Sequence, residues 1–389
     1  MALFVSGLGT FIQTRRWGPV GSGLLSIQGT SFVFLGPIIS LAGVAIAGGA
    51  SQRDALGIVF GLCLVASFVP ILISPFLRLS GRIITPLVTG TVVTLIGLTL
   101  IEVGITSVGG GFEAKVAGNF GSPRNLGLAA VVIVAILFLN GSGKPWLRMT
   151  SIVAGLAFGY ALAAALGLID FSALRALPWV IVPMPFRFGL GFRATALIPF
   201  CFLYLITAVE SIGDLTATSS LTGQPLSGPI YLQRLRGGVL ADGLTSLFAA
   251  LFNSFPSTTF AQNNGVIQLT GVGSSYVGRF VGGILMILGL FPVVGGVVQA
   301  MPQSILGGAT IIMFGTVAAA GIRILSSIDL DRRASIIIAG SLGLGLGVTF
   351  VPSVMQNMPA LVKDTFSSGI ATGGICALVL NAVMPGRRT

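Results

Sequence analysis

The segment FPSTTFAQNNGVIQLTG, at residues 255–271, decides the fold of this chain because it is polar where its surroundings are apolar. Mean hydropathy over the 389 residues is +1.00, 54% of them are hydrophobic and only 8% are charged. A soluble domain of this length could not bury so much apolar surface in one core. Irregular polar backbone at membrane depth is tolerated only where it lines a cavity. We therefore expect a membrane protein in which residues 255–271 are shielded from lipid by protein.

Long apolar stretches lie on both sides of this segment. Each is long enough to cross a bilayer, allowing for tilt and for breaks at Gly or Pro. They cover residues 21–48, 55–77, 83–105, 125–141, 146–169, 194–218, 237–254, 277–299, 305–325, 334–352 and 367–384. These stretches predict an all-α polytopic membrane protein, and its 56 glycines predict closely packed helices.

The charge distribution indicates membrane topology and disfavours nucleic acid as a partner. The net charge is +11, but the Lys and Arg residues lie in short loops and not in one basic stripe. Assigning the loops alternately to two sides collects most of the 21 cations on one side. That bias predicts that this side and the C-terminus are cytoplasmic. We expect a multi-pass protein of the plasma membrane, which is the inner membrane in a bacterium.

The sequence offers neither metal nor thiol chemistry. Cys63, Cys201 and Cys376 are isolated within apolar runs, and the chain contains no histidine. A zinc site, a disulfide framework and a Cys/His nucleophile are therefore not predicted. We expect no metal and no cofactor.

A short internal similarity indicates a repeat. GTSF at residues 29–32 resembles STTF at residues 257–260, and each lies in a broken segment early in its half of the chain. Many transporters place a binding site near the bilayer midplane with inverted repeats around discontinuous segments. We predict two inverted repeats, at residues 1–193 and 194–389. The same offset predicts that a first helix and part of a second are missing before Met1; a shorter natural start is the alternative.

Three carboxylates stand well inside apolar stretches, where ionisable groups are costly and are therefore candidates for function. Glu210 and Asp214, in AVESIGDL, are four residues apart and share one face of a helix. Asp242, in GGVLADGLTS, lies on the next helix. No Lys or Arg shares these spans at matching depth, so each carboxyl group is either protonated or satisfied by hydroxyls, amides and water. The functional interpretation is a hydrogen-bond acceptor with protonation sites, and the alternative is a structural tie between helices.

Amide side chains in the polar segment suit the recognition of a planar heterocycle. Gln262 and Asn263 each offer a donor and an acceptor, the pattern that reads the edge of such a ring. Phe32, in the similar segment near the start, offers a face for stacking. For Asn264 and Gln268, packing between helices is the better interpretation.

Residues 262–271, QNNGVIQLTG, are similar to the signature of the nucleobase/ascorbate transporter family, also called nucleobase:cation symporter-2. The resemblance extends to AVESIGDL, ADGLTSLFAALFNSFP and GTSF, and so covers essentially the whole chain. It implies two inverted repeats of seven segments, fourteen in the family and about twelve and a half here. It also implies a core domain that holds substrate and a gate domain that forms a homodimer contact. The family's two part-strand, part-helix segments match the broken segments around Phe32 and Phe260.

The resemblance also implies roles for individual residues. Glu210 is expected to hydrogen-bond the base, Gln262 to read its other edge and Phe32 to stack on it. The implied substrate-binding residues are Phe32, Glu210, Ala261, Gln262 and Asn263, the implied proton-coupling residues are Glu210, Asp214 and Asp242, and Gly265 and Thr270 are structural positions of the motif.

The implied function is secondary active transport of a purine such as xanthine or urate, coupled to protons, with sodium as the alternative ion. Gln262 favours a purine, because uracil carriers of the family tend to have Glu there. The alternatives are a uracil or other nucleobase carrier of the family, an anion carrier of the same architecture, a transport-inactive truncated product and an intramembrane enzyme. The implied partners are a nucleobase, membrane lipid and a second copy of the chain.

Overall fold

The computed structural model describes residues 1–77, 85–169, 177–226, 228–260, 262–359, 362–363, 366 and 368–384, apart from the side chains at positions 262, 265, 268 and 269. In this part, the first half of the chain runs α1 (Ala2–Arg15), β1 (Gln28–Thr30), α2 (Leu35–Ala47), α3 (Gln52–Ala66), α4 (Phe68–Ile73), α5 (Pro86–Val108), α6 (Gly111–Val116), α7 (Pro123–Asn140) and α8 (Pro145–Ala165). The second half runs α9 (Ala194–Leu221), α10 (Gly228–Leu251), β2 (Ser257–Thr259), α11 (Gln262–Thr270), α12 (Ser275–Gly289), α13 (Pro292–Gln299), α14 (Gln303–Ser326), α15 (Arg332–Phe350) and α16 (Gly369–Val383).

The starts of several helices follow directly from the local sequence. Helix α7 begins with Pro123, whose fixed φ suits the first helical position. The hydroxyl of the preceding Ser122 accepts a hydrogen bond from the backbone N–H of Asn125 at 3.3 Å. Asp331 caps α15 in the same way, accepting from Ala334 N at 2.7 Å.

Seven helices in the described part of the chain are long and apolar enough to cross a membrane. Helices α12 and α13 form an eighth span if they are counted together, but they meet at an angle of 81°. The apolar stretch 277–299, predicted to span with allowance for a break at Gly or Pro, contains such a break. The bend lies at Pro292, which lacks an N–H and restricts the residue before it, so α12 ends and a new helix begins.

The two broken segments contain the strands, and these strands pair with each other. The antiparallel pairs are Gln28 with Thr259, Gly29 with Thr258 and Thr30 with Ser257. The internal repeat relates the second pair to the third. Gly29 and Ser257 are 228 residues apart in the chain, and so are Thr30 and Thr258. The prediction of short strands in both broken segments is confirmed, and the repeat boundary between residues 193 and 194 stays a prediction.

Glycines lie at the points where helices pack most closely, as the composition predicts. A methyl group added to Gly97 of α5 would lie 2.3 Å from the backbone nitrogen of Ala318 on α14. One added to Gly289 of α12 would lie 2.3 Å from the backbone nitrogen of Phe4 on α1. The absence of a Cβ therefore sets how closely these helix pairs approach.

Helix α9 is fixed against the first half of the chain by a buried aromatic cluster. The Tyr204 hydroxyl donates to the backbone oxygen of Cys63 on α3 at 3.0 Å. The Tyr204 ring centroid lies 4.7 Å from that of Phe34, which follows strand β1. All three residues are buried, so the stretch of α9 that carries Glu210 has a rigid support.

Candidate binding site at the paired strands

The candidate site forms where the ends of the paired strands meet α9. The backbone N–H of Phe260 donates to Ile27 O at 3.0 Å, which extends the pairing beyond β2. A methyl group at Gly29 would lie 2.2 Å from Cζ of Phe260, so the Phe260 ring occupies the space beside this glycine. Phe32 and Phe260, which occupy similar positions in the two broken segments, are also neighbours in the structure.

Phe32, predicted to stack on a planar ligand, already contacts two rings. Its ring is nearly parallel to that of Phe260, with an interplanar angle of 7° and centroids 5.9 Å apart. Phe314 of α14 meets it edge-on with centroids 5.3 Å apart. Phe32 remains partly exposed, and its stacking on a ligand stays a prediction.

Glu210 differs from the other two carboxylates in the surroundings of one of its oxygen atoms. Its Oε2 atom is buried and has no hydrogen-bond partner among the described residues. The residue as a whole is partly exposed. A buried oxygen without a partner costs about 1–3 kcal/mol relative to a satisfied one. Glu210 is therefore suited to accept a hydrogen bond from a ligand.

Asp214 is buried and held by hydroxyl and amide groups from neighbouring segments. The Thr259 hydroxyl, on β2, donates to Asp214 Oδ2 at 2.9 Å. The backbone oxygen of Asp214 accepts from Thr218 Oγ1 at 2.8 Å and from Asn264 Nδ2 at 3.3 Å. Asp214 thus joins α9 to both parts of the second broken segment.

Asp242 is buried on α10 and lies at one end of a chain of hydroxyl groups. The Ser211 hydroxyl donates to Asp242 Oδ2 in a short hydrogen bond, and Ser211 Oγ lies 3.0 Å from Thr258 Oγ1 on β2. The amide of Gln13, on α1, donates to Asp242 Oδ1 at 3.4 Å. Because Ser211 has one proton to donate and gives it to Asp242, Thr258 is the donor to Ser211.

The two asparagines at the start of α11 have different partners. Asn263 Nδ2 donates to the backbone oxygen of Leu25 at 2.7 Å, which ties the helix to the segment before β1. Asn264 Oδ1 lies 2.6 Å from Thr218 Oγ1 and shares the single hydroxyl proton of Thr218 with the backbone oxygen of Asp214. The prediction that Asn264 packs between helices is confirmed.

The structure describes only some of the residues predicted for the signature motif. Ala261 lies outside the described residues, as do the side chain of Gln262 and the environment of Gly265. Thr270 ends α11: its hydroxyl donates to Val266 O at 2.8 Å and accepts from Val272 N at 3.1 Å. Its contacts with its own helix end agree with a structural position in the motif.

The prediction that hydroxyls and amides satisfy the membrane carboxylates is confirmed for Asp214 and Asp242. Sequence reasoning missed the partners themselves, namely Gln13, Ser211, Thr258 and Thr259. Ser211 lies inside AVESIGDL, and the two threonines lie in the segment that resembles GTSF. Their positions in these motifs could have identified them as partners of the carboxylates. Gln13 carried a weaker signal, as one amide in an apolar helix.

These features define a membrane carrier: apolar helices enclose two broken segments whose strands pair beside buried carboxylates. The chain belongs to the permease family designated Xan_ur_permease, whose model matches residues 1–354. It is therefore a permease and not an enzyme, and the resemblance seen in the sequence is confirmed.

Named relatives in bacteria are similar over nearly the whole chain. Identity is 51% over 387 residues with "Xanthine permease XanP" of Escherichia coli (strain K12), covering 99% of this chain and 83% of that protein. It is 44% over 389 residues with "Xanthine permease XanQ" of the same strain, covering 99% and 83%. It is 35% over 383 residues with "Uric acid permease PucJ" of Bacillus subtilis (strain 168), covering 97% and 82%.

Solved structures with low identity share the fold. The transmembrane domain of the cyanobacterial bicarbonate transporter BicA matches with a TM-score of 0.59 at 16% identity, over 90% of this chain and 89% of that one. SLC26A9 matches with a TM-score of 0.64 at 12% identity, over 100% and 61%. At such identities the likeness extends to architecture alone.

Proposed function

We propose that this chain is a secondary transporter that carries a purine nucleobase, such as xanthine or urate, across the plasma membrane. The relatives at 51% and 44% identity are xanthine permeases by name, and the relative at 35% identity is a uric acid permease. The observation in this chain that carries the proposal is the Oε2 atom of Glu210 on α9, a buried oxygen that has no hydrogen-bond partner among the described residues.

Recognition of the base follows from the groups that a purine presents. Xanthine and urate carry N–H donors and carbonyl acceptors around a planar ring, so they need acceptors, donors and a flat surface. Glu210 accepts from a ring N–H, and the amide of Gln262 reads another edge. Phe32 stacks on the ring, and Asn263 supports Ala261 and Gln262 through its bond to Leu25 O.

Proton coupling acts through the hydroxyl chain at Asp242. A charged Asp242 accepts only, whereas a neutral one also donates. A change in its protonation therefore changes which way the Ser211 hydroxyl can donate, and Thr258 of strand β2 responds in turn. This connects a protonation site to the segment that binds substrate. Asp214 and Glu210 are the further protonation sites, and sodium is the alternative coupling ion.

The cycle is alternating access by movement of a core domain relative to a gate domain. The core domain carries the paired strands with α9, α10 and α11, and the gate domain carries α5 and α14 to α16. The movement exposes the site to each side of the membrane in turn. The gate forms the contact of a homodimer, and the C-terminus lies in the cytoplasm.

The test is uptake of labelled xanthine by cells that lack their own xanthine permeases. Glu210→Gln removes the charged acceptor, and a hydrogen bond to a charged group contributes about 1.5–3 kcal/mol. We expect apparent affinity to fall roughly tenfold to a hundredfold. Glu113→Gln, at an exposed glutamate, is the matched control and keeps wild-type uptake.

Competition by unlabelled compounds defines the substrate class in the same assay. Excess urate is expected to compete with xanthine, whereas excess uracil or bicarbonate is not. Wild-type uptake in the Glu210→Gln variant, at equal amounts of protein in the membrane, would exclude Glu210 from the site.

A further inference from the structure

Four arginines gather where three helices end on the side predicted to be cytoplasmic. Arg15 ends α1 and Arg16 follows it, while Arg234 and Arg279 lie in the second turns of α10 and α12. These four residues are called the arginine cluster below. Topology alone explains why cations lie on this side, but not why these four meet.

Packing of α1 against α12 brings Arg15 close to Arg279. A methyl group at Gly278 would lie 2.5 Å from Cγ2 of Thr14, so the Thr14 side chain of α1 lies directly against this glycine of α12. Arg15 follows Thr14, and Arg279 follows Gly278. Both arginines are thus one residue away from a contact between the two helices.

Hydrogen bonds connect the other two arginines to α10 and to the loop before it. Arg16 Nη2 donates to Gln233 Oε1 at 3.0 Å, next to Arg234 in the chain. Arg234 Nη2 donates to Gln224 Oε1 at 2.7 Å. The cluster therefore spans the ends of α12, α1 and α10 in turn.

No acidic residue of these segments balances the four charges. Residues 1–53, 215–241 and 243–328 contain neither Asp nor Glu. The hydrogen bonds that Arg16 and Arg234 donate go to neutral amides. The Nε atoms of Arg234 and Arg279 are buried and have no hydrogen-bond partner among the described residues. Like charges held close together by packing repel each other, and an anion from outside the chain would relieve that repulsion.

Exposed aromatic side chains surround the cluster. The Arg15 guanidinium lies 5.4 Å from the ring centroid of Trp17 and 5.9 Å from that of Phe11. Trp17 is 52% exposed, Tyr276 61% and Phe280 59%. Exposed aromatic rings at helix ends are typical of the membrane interface, where one side meets headgroups and the other meets acyl chains.

We propose that the arginine cluster binds the phosphodiester headgroup of an anionic phospholipid. Guanidinium groups form paired hydrogen bonds with phosphate oxygens, and Arg15 and Arg16 are exposed at this surface. The flanking rings favour a lipid over a free phosphate ion, because only a lipid also fills the apolar surface beside the arginines. This site is separate from the Glu210 site and does not depend on what is transported.

The test measures the thermal stability of the purified protein in a neutral detergent. Dioleoyl phosphatidylglycerol is titrated into the micelles, and dioleoyl phosphatidylcholine and inorganic phosphate are titrated in parallel. We expect phosphatidylglycerol alone to raise Tm. In R15Q/R279Q we expect the midpoint of that titration to move to a lipid concentration roughly thirtyfold higher. Each arginine near an anionic lipid strengthens binding about fivefold, and this variant lacks two of them.

Two further variants make the outcome decisive. R16Q/R234Q removes the other half of the cluster and is expected to give a similar shift, which covers the case in which the first pair fails to fold. R323Q/R332Q removes two exposed cations elsewhere on the same predicted side and leaves the midpoint unchanged. Equal shifts in the cluster and control variants, equal stabilisation by phosphatidylcholine, or equal stabilisation by inorganic phosphate would each overturn the proposal.

Discussion

The three membrane carboxylates have different surroundings, and these surroundings suit different tasks. Asp214 is buried and receives a hydroxyl bond from Thr259. Asp242 receives one from Ser211. Glu210 Oε2 has no donor among the described residues. Asp214 therefore connects α9 to strand β2 directly, Asp242 connects α10 to it through Ser211, and Glu210 is the carboxylate proposed to bind the ligand.

Asp242 provides a test of proton coupling at the level of a single residue. Asp242→Asn keeps the shape of the side chain and can still accept from Ser211, but it cannot gain or lose a proton. We expect an inward proton gradient to drive xanthine accumulation in proteoliposomes of the wild type and not of the variant. Exchange of labelled for unlabelled xanthine, which needs no net proton movement, is retained.

An exposed carboxylate serves as the control for that experiment. Asp329→Asn is expected to accumulate xanthine like the wild type. Accumulation driven by a sodium gradient but not by a proton gradient would identify sodium as the coupling ion. Undiminished proton-driven accumulation in Asp242→Asn would contradict the assigned role.

Residue-level prediction from the sequence reached the carboxylates but not their partners. A charge inside an apolar run is costly, and that cost alone marked Glu210, Asp214 and Asp242. Asp242 lies on α10, but its donors come from α1 and α9, and Gln13 is 229 residues away in the chain. Such a contact depends on the tertiary arrangement of the helices, which no local pattern encodes.

At the level of elements, the paired strands depend on the small size of Gly29. The Phe260 ring takes the space where a side chain at position 29 would stand. Gly29→Ala forces this ring or the strand to move, and overpacking of this kind costs about 1–3 kcal/mol. We expect a lower Tm and weaker xanthine uptake, because Phe260 stacks on Phe32.

Gly43 offers a matched substitution in the helix that follows the same strand. A methyl group there would have no heavy atom within 4 Å, and alanine suits a helix better than glycine. Gly43→Ala should therefore leave Tm and uptake at or slightly above wild-type values. If the two alanine variants behave alike, the contact between Gly29 and Phe260 has no special importance.

The elements themselves were largely predictable from the sequence, and the exceptions have physical causes. Apolar length identified most helices, and Ser and Thr in polar breaks indicated the two strands. The bend of 81° between α12 and α13 was missed, because Phe291-Pro292 lies in an apolar run whose hydropathy does not change at the break. Hydropathy reports burial in lipid and carries no information on helix direction.

At the level of the whole molecule, the proposed core and gate domains meet between α9 and α16. A methyl group at Gly374 would lie 2.8 Å from Cδ1 of Ile206 and 3.0 Å from its Cγ1. A cysteine pair at these positions, with the native cysteines replaced by serine, is close enough to cross-link. We expect oxidation to block xanthine uptake and reduction to restore it, because the link prevents movement of one domain past the other.

A pair inside the proposed gate domain is the control. A methyl group at Gly340 of α15 would lie 3.8 Å from Sγ of Cys376 on α16, so a cysteine at position 340 can cross-link to Cys376 where that native cysteine is kept. This second link joins two helices that are expected to move together and leaves uptake unchanged. Full uptake with the link between positions 206 and 374 closed would show that α9 and α16 form one rigid unit.

The pairing of strands from distant parts of the chain has a consequence for biosynthesis. Residues Gly29 and Ser257, which lie together in the sheet, leave the ribosome 228 residues apart. At about 5–20 residues per second, the first strand is made roughly 10–45 seconds before its partner. Its backbone polar groups must be kept out of the lipid during that interval, by water, the insertion machinery or a chaperone. The paired strands therefore cannot form until about two thirds of the chain has been made, and a polypeptide released earlier would lack them.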